Sequence, residues 1–188
     1  MTTVPAALDE RFRAAAAASG DLDVAFDILD DTPIGSLLVG VSDRGLCRVH
    51  FDPDPELALD DLAHRFGPRV LRSPRAIDRA KLELDEYLSG RRHGFDLELD
   101  LRGTPDFHQR VLAELAEVPY GTTTTYGALA AQVGSPKAAR AIGTVMNRNP
   151  LPVVLPCHRV VGASGSLTGY GGGLERKEWL LRLEGALL

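Results

Sequence analysis

The sequence predicts an α/β (α+β) fold in two parts: a small N-terminal α/β domain with an antiparallel sheet, then a mainly helical C-terminal domain carrying a helix-turn-helix. Two observations lead there. Through residue 101, short alternating apolar stretches are interleaved with amphipathic helical ones. Beyond Arg102-Gly103-Thr104-Pro105 the pattern changes to short helical segments punctuated by glycine and proline. The expected parts are a helical extension over 1–20, an α/β domain over 21–101, a linker over 102–106 and a C-terminal domain over 107–188.

The first twenty residues read as an alanine-rich helix ending near Gly20. Val24 to Leu29 alternates as a strand does. Ile34 to Val41 and Leu46 to Phe51 are strand-like and joined by the turn residues Asp43-Arg44-Gly45. Helical stretches follow at Pro55 to Phe66 and Pro74 to Leu88, the second with Ile77, Leu82, Leu84 and Leu88 among charges. Phe95 to Leu101 alternates again and is expected as a strand. In the second part, Val111, Leu112 and Leu115 give Phe107 to Glu117 helical spacing. Thr125 can cap a helix running to Val133. Gly134-Ser135-Pro136 breaks it, and Pro136 suits the first turn of a helix continuing to about Asn147. Glu175 to Leu183 is a final amphipathic helix.

Composition is that of a globular chain, 44% hydrophobic and 25% charged, which excludes wholesale disorder. The alanine run Ala14 to Ala18 is far too short for a membrane span, and Asp9 and Glu10 stand where a signal peptide would be basic. The expectation is a cytoplasmic, intracellular protein with no membrane partner. Cys47 and Cys157 are then two reduced thiols rather than a disulfide. The formal charge of −5, taken globally, argues against a nucleic-acid partner. Residues 104–188, however, hold eight basic and six acidic residues, a balance of +2, and the acidity lies in the first half. The second half can face phosphate, although the field is weak.

Thr125–Val133, the glycine-containing break and Pro136–Asn147 form a helix-turn-helix pattern. By itself such a pattern is more often a plain corner between helices. Here Lys137, Arg140 and Arg148 accompany the second helix, which has no acidic residue. Ala138, Ala139 and Gly143 are small enough for close approach to a groove or backbone.

Val153-Val154-Leu155-Pro156-Cys157-His158-Arg159-Val160-Val161 reads as an apolar strand delivering a cysteine and a histidine ahead of a glycine-rich loop. A free thiol, with a pKa of about 8.5, is only a few per cent thiolate at neutral pH. A nearby imidazole held by a carboxylate can take its proton. Alone, a Cys-His dipeptide is more often structural. Cys47 and His50 with Cys157 and His158 suggest four zinc ligands, but an offset of three on a strand puts Cys47 and His50 on opposite faces. No metal is expected.

The ordered blocks from Phe107 onward resemble the O6-alkylguanine-DNA alkyltransferases (methylated-DNA–protein-cysteine methyltransferases). They are Pro119-Tyr120-Gly121, Thr125-Tyr126-Gly127, Lys137-Ala138-Ala139-Arg140-Ala141-Ile142-Gly143, Asn149-Pro150, Pro156-Cys157-His158-Arg159-Val160, Gly169-Tyr170 with Gly172-Gly173-Leu174, and Lys177-Glu178-Trp179-Leu180-Leu181 before Glu184. The first half fits loosely, as that family's variable α/β domain does. His108 and Leu112 stand where many members have Gln and Trp, and Asp106 is an extra residue before Phe107. These positions look like packing or interdomain contacts. The zinc-binding residues of some animal members have no equivalents.

The resemblance implies that Cys157 is the alkyl acceptor in an active-site loop. His158 would deprotonate it through a bound water, and Glu184 would orient His158. Asn149 would shape the active-site turn, and Tyr126 would assist the departing guanine. Val160, Tyr170, Gly172 and Met146 would form the base pocket. Arg140 would fill the stack after the nucleotide is flipped, with Lys137, Ala138, Ala139, Thr125 and Arg148 at the DNA. The implied partner is double-stranded DNA carrying O6-alkylguanine, bound by a monomer or by molecules clustered along it. No cofactor is implied. His50, His64, His93 and His108 are left without a role. Two rivals differ in kind: a cysteine hydrolase would turn over, and a non-catalytic lesion-binding relative would lack the cysteine.

Overall fold

The computed structural model describes residues 15–16 and 19–187. Ala15 and Ala16 are helical and Ser19–Gly20 form a turn, while the rest of the expected N-terminal helix lies outside the described residues. The chain divides into two compact units. One runs to Asp85 and takes in Asp96–Arg102; the other holds Glu86–Phe95 and the chain from Gly103 onward. The second unit thus includes a segment that the expected partition assigns to 21–101.

In the first unit, β1 (Val24–Leu29), β2 (Leu37–Ser42), β3 (Gly45–Phe51) and β4 (Val70–Arg72) form one sheet in the order β3-β2-β1-β4. The first three are antiparallel, whereas β4 lies parallel to β1, Val70 facing Val24. The sheet is therefore mixed at one edge. Helix α1 (Pro55–Phe66) starts on Asp54, whose Oδ1 accepts from the amides of Glu56 and Leu57 at 3.0 and 3.2 Å. Val24, Phe26, Leu38, Cys47 and Leu62 form the core, and Leu59 and Phe66 pack against it.

Two expected elements differ. The Gly35 amide on Thr32 O at 3.1 Å closes a turn over Thr32–Gly35, Ser36 follows it outside any strand, and the strand begins at Leu37. Phe95–Leu101 is not a strand: one bridge, Leu46 with Leu99, holds it. The Leu46 amide donates to Glu98 O and the Asp100 amide to Leu46 O, at 2.8 and 2.9 Å. Alternation reports half-burial, and here the segment is half-buried without a ladder. Its backbone passes so close to Gly45 that a Cβ there would lie 2.2 Å from Glu98 O. Cys47 is buried and His50 exposed on β3, and no cluster of three or more candidate metal ligands occurs among the described residues.

A turn of 3-10 helix (Pro74–Ile77) leads into α2 (Asp78–Leu88), whose last residues belong to the second unit. That unit continues with α3 (Asp106–Ala116), β5 (Thr124–Thr125), α4 (Tyr126–Gln132), α5 (Ala139–Asn147), a 3-10 turn (Cys157–Arg159), β6 (Val160–Val161) and α6 (Leu174–Leu183). β5 and β6 are parallel, Thr124 facing Val160. Pro136 does not open α5. Ala138 has φ −91° and ψ 18°, outside helical geometry, and Pro136–Lys137 make a turn closed by the Ala138 amide on Ser135 O. Among the described residues no helix is long and apolar enough to cross a membrane.

Candidate active site

The segment leading to Cys157 is a chain of tight turns, not the strand that its apolar residues suggest. Leu155 N donates to Leu151 O and Cys157 N to Leu155 O, each at 2.8 Å. Val153 has φ +75°, a left-handed conformation rare for a β-branched residue. The two prolines 150 and 152 forbid a regular ladder, and Asn149 supplies the missing bonds. Its Oδ1 accepts from the Leu151 amide at 3.0 Å, and its Nδ2 donates to Leu155 O at 2.8 Å and to Cys157 Sγ at 3.2 Å. One amide thus ties the start of the turn to the sulfur at its end.

Cys157 is 3% exposed. Burial pushes its thiol up to about 11, against the pull of the Asn149 hydrogen bond and the Lys177 charge. At neutral pH the resting sulfur therefore keeps its proton and needs a base. His158 is fully buried, with Nε2 2.5 Å from Glu184 Oε1. Burial lowers its pKa, more than Glu184 raises it, so the ring is neutral at rest. With the proton on Nε2 facing Glu184, Nδ1 offers a lone pair and has no protein partner among the described residues.

Glu184 follows the last turn of α6, its amide bonded to Leu180 O at 3.0 Å. Oε2 accepts from Arg159 Nε at 2.9 Å and from the Gly121 amide at 3.2 Å. Oε1 accepts from His158, from the Tyr87 hydroxyl and from Arg159 Nη2 at 3.2 Å. Burial opposes the charge, but these donors prevail and hold the carboxyl at about 2. It stays ionised and orients the imidazole rather than taking its proton.

Lys177 is also fully buried, its ammonium donating to Val160 O at 2.6 Å and Thr168 O at 2.9 Å. Burial lowers its pKa, and the Cys157 charge acts the other way. The Tyr126 hydroxyl donates to Thr168 O and Gly169 O at 3.2 and 3.4 Å, so both side chains fasten the loop that follows β6. The Tyr126 ring lies beside Gly143 of α5, where a Cβ would sit at an ordinary contact distance of 4.0 Å. Tyr170 has its pKa well raised by burial first and by the Cys157 charge next. Gly172 O accepts from Arg176 Nη1 at 2.8 Å, and Met146 lies on the buried face of α5.

The structure therefore joins Asn149 to Cys157 and His158 to Glu184; the His158 backbone amide also bonds the Cys157 sulfur, but the imidazole itself does not. The helix-turn-helix residues form a separate group: Thr125 caps α4 through the Ala128 amide at 3.1 Å, Lys137, Arg140 and Arg148 are exposed, and Ala138 and Ala139 are half-buried. Tyr87, Arg159 and Lys177 also enter the buried network of the site, although no role for them is read from the sequence. For Lys177 a signal existed, because it shares the helical spacing of Leu180 and Leu181 and so falls on the buried face. Arg159 and Tyr87 find their partners 25 and 97 residues away, and no local pattern marks them.

Residues 106–186 match the sequence model of the 6-O-methylguanine DNA methyltransferase DNA binding domain, and residues 28–101 match that family's ribonuclease-like domain. The chain belongs to this family. Among 6-O-methylguanine DNA methyltransferase relatives, a methylated-DNA–protein-cysteine methyltransferase of Mycolicibacterium paratuberculosis is 54% identical over 154 residues, 82% of this chain and 88% of that protein. A protein of the same name from Methanosarcina acetivorans is 40% identical over 157 residues, 83% of this chain and 96% of that one. The crystal structure of Mycobacterium tuberculosis OGT in complex with DNA superposes with a TM-score of 0.74 at 42% identity, covering 86% of this chain and 92% of that one. The architecture is mixed α/β, with a four-stranded sheet and a two-stranded one among its helices.

Proposed function

We propose that this protein repairs alkylated DNA by direct reversal, as a methylated-DNA–[protein]-cysteine S-methyltransferase. Cys157 Sγ attacks the alkyl carbon on O6 of guanine; an S–C bond forms, the O6–C bond breaks, and the guanine leaves with the electron pair. The thiol proton passes to His158 Nδ1 through a bridging water, and Tyr126 donates a hydrogen bond or proton to the departing base. Val160, Tyr170, Gly172 and Met146 shape the base pocket, and Val160 O, fixed by Lys177, is one acceptor for a base edge. The product is a thioether without an activated leaving group, so each molecule acts once. No cofactor takes part in these steps.

The DNA partner is assigned to the helix-turn-helix, with Arg140 entering the stack behind the flipped nucleotide and Lys137, Thr125, Ala138, Ala139 and Arg148 beside the backbone. The observation that carries the reading is the arrangement around one sulfur. Cys157 is buried, bonded by Asn149, and followed by an imidazole that is neutral, aligned by Glu184 and open at Nδ1. Mass spectrometry after incubation with DNA containing O6-methylguanine tests it. One methyl group on Cys157, absent from Cys157→Ala, is expected. Unmodified protein beside intact lesions, or turnover beyond one lesion per molecule, would refute it.

A further inference from the structure

Glu184 is held from the end of α2 as well as from its own surroundings. Tyr87 is wholly buried, its ring stacked on Phe95 at 4.8 Å and set edge-on to Tyr120 at 5.9 Å. Its hydroxyl accepts from Arg159 Nη2 at 3.2 Å and donates to Glu184 Oε1. That is the same oxygen that faces His158 Nε2. With Arg159 Nη2 at 3.2 Å, three donors thus share one oxygen, and each weakens the hold of the others on its negative charge.

We propose that Tyr87 is a positioning residue of the alkyl-transfer site: by donating to Glu184 Oε1 it limits how strongly the carboxylate draws on His158, and so sets the basicity of the imidazole. The inference rests on His158 serving as the base for Cys157. The charged and titratable groups facing the His158–Glu184 pair are Arg159 of the same turn, Tyr87 of α2, Tyr120 of the α3–β5 connection, Lys177 of α6, and Tyr170 of the glycine-rich loop. Arg159 and Lys177 both disfavour a protonated imidazole, and Glu184 favours it. Tyr87 touches both Glu184, to which it donates, and Arg159, from which it accepts, and the donation to Glu184 falls on the oxygen that faces the imidazole. Without its hydroxyl, Oε1 carries more charge toward His158, the imidazolium is stabilised, and the pKa of His158 rises.

The test is the second-order rate constant for methyl transfer to Cys157, followed against pH in the full-length protein. Tyr87→Phe should move the acidic limb upward by roughly half a pH unit to one unit. Replacing Tyr87 by 3-fluorotyrosine keeps the ring and makes the hydroxyl a stronger donor, so the limb should move down. The fluorinated protein decides the question if the phenylalanine variant does not fold. A uniform fall in rate with the limb in place would mean a packing role only and would overturn the inference. Wild-type protein that transfers no methyl at any pH would instead sink the reading on which it rests.

Discussion

His158 Nε2 lies 2.5 Å from Glu184 Oε1, and neither side chain has any exposed surface. A contact this short and dry makes Glu184 the hub of a buried network in which Arg159 carries the balancing positive charge.

Glu184→Gln removes the anion and leaves the Arg159 guanidinium buried and uncompensated. The expected loss of stability is about 3–5 kcal/mol, the usual cost of breaking one side of a buried pair. Urea unfolding measures it. A loss below about 1 kcal/mol, the level of an exposed pair, would show that the network is not sealed from solvent.

Acidification should destabilise the protein in two stages. His158 has a lowered folded pKa, so below its ordinary value of 6.5 the unfolded chain takes up a proton that the folded one refuses, and stability falls. Glu184 has a folded value of about 2 against 4.5, so its contribution is complete above 4.5 and is lost as pH drops toward 2. Urea midpoints recorded from about pH 8 down to about pH 3 should show both declines. In His158→Gln the first should shrink to the part owed to His50, whose pKa burial also lowers, and the second should weaken because His158 heads the groups that lower Glu184.

Asn149→Ala removes three hydrogen bonds from the turn, including the one to Cys157 Sγ. The expected cost is about 1–3 kcal/mol, since the Leu155 carbonyl and Leu151 amide lose their partner. The sulfur also loses a donor that lowers its pKa. Labelling of Cys157 by a small alkylating reagent should therefore slow at neutral pH and recover toward alkaline pH. An unchanged pH dependence would detach Asn149 from the ionisation of the thiol.

Arg140→Ala should slow methyl transfer from duplex DNA much more than reaction with free O6-benzylguanine, because only the duplex requires the nucleotide to be extruded. Rates on both substrates, measured side by side, decide it; equal losses would remove the flipping role.

The sequence was most legible where a local rule controls structure. Asp54 and Pro55 mark the start of α1, and the alternation of Val24 to Leu29 matches β1 over its whole length. It was least legible where a distant partner decides. Val70–Arg72 forms a three-residue strand only because β1 offers an edge, and three residues hold too little pattern to announce it. The apolar run before Cys157 looks like a strand, yet its prolines and the Asn149 side chain wind it into turns. Cys157, His158 and Glu184 stood out through the ordered motifs that resemble the alkyltransferases; alone, Glu184 reads as a surface charge on an amphipathic helix. Arg159, Lys177 and Tyr87 did not, because a buried charge and a surface charge are spelled with the same letter.

The left-handed backbone at Val153 bears on how far the protein can be hardened. A β-branched residue in that region costs on the order of 1–3 kcal/mol, in domains whose total margin is only about 5–15 kcal/mol. Replacement by glycine would relieve the strain but surrender a fully enclosed side chain and loosen the backbone four residues ahead of the sulfur. Engineering for heat resistance at this position would therefore trade against the aim of the nucleophile, and gains are better sought in the sheet-bearing unit.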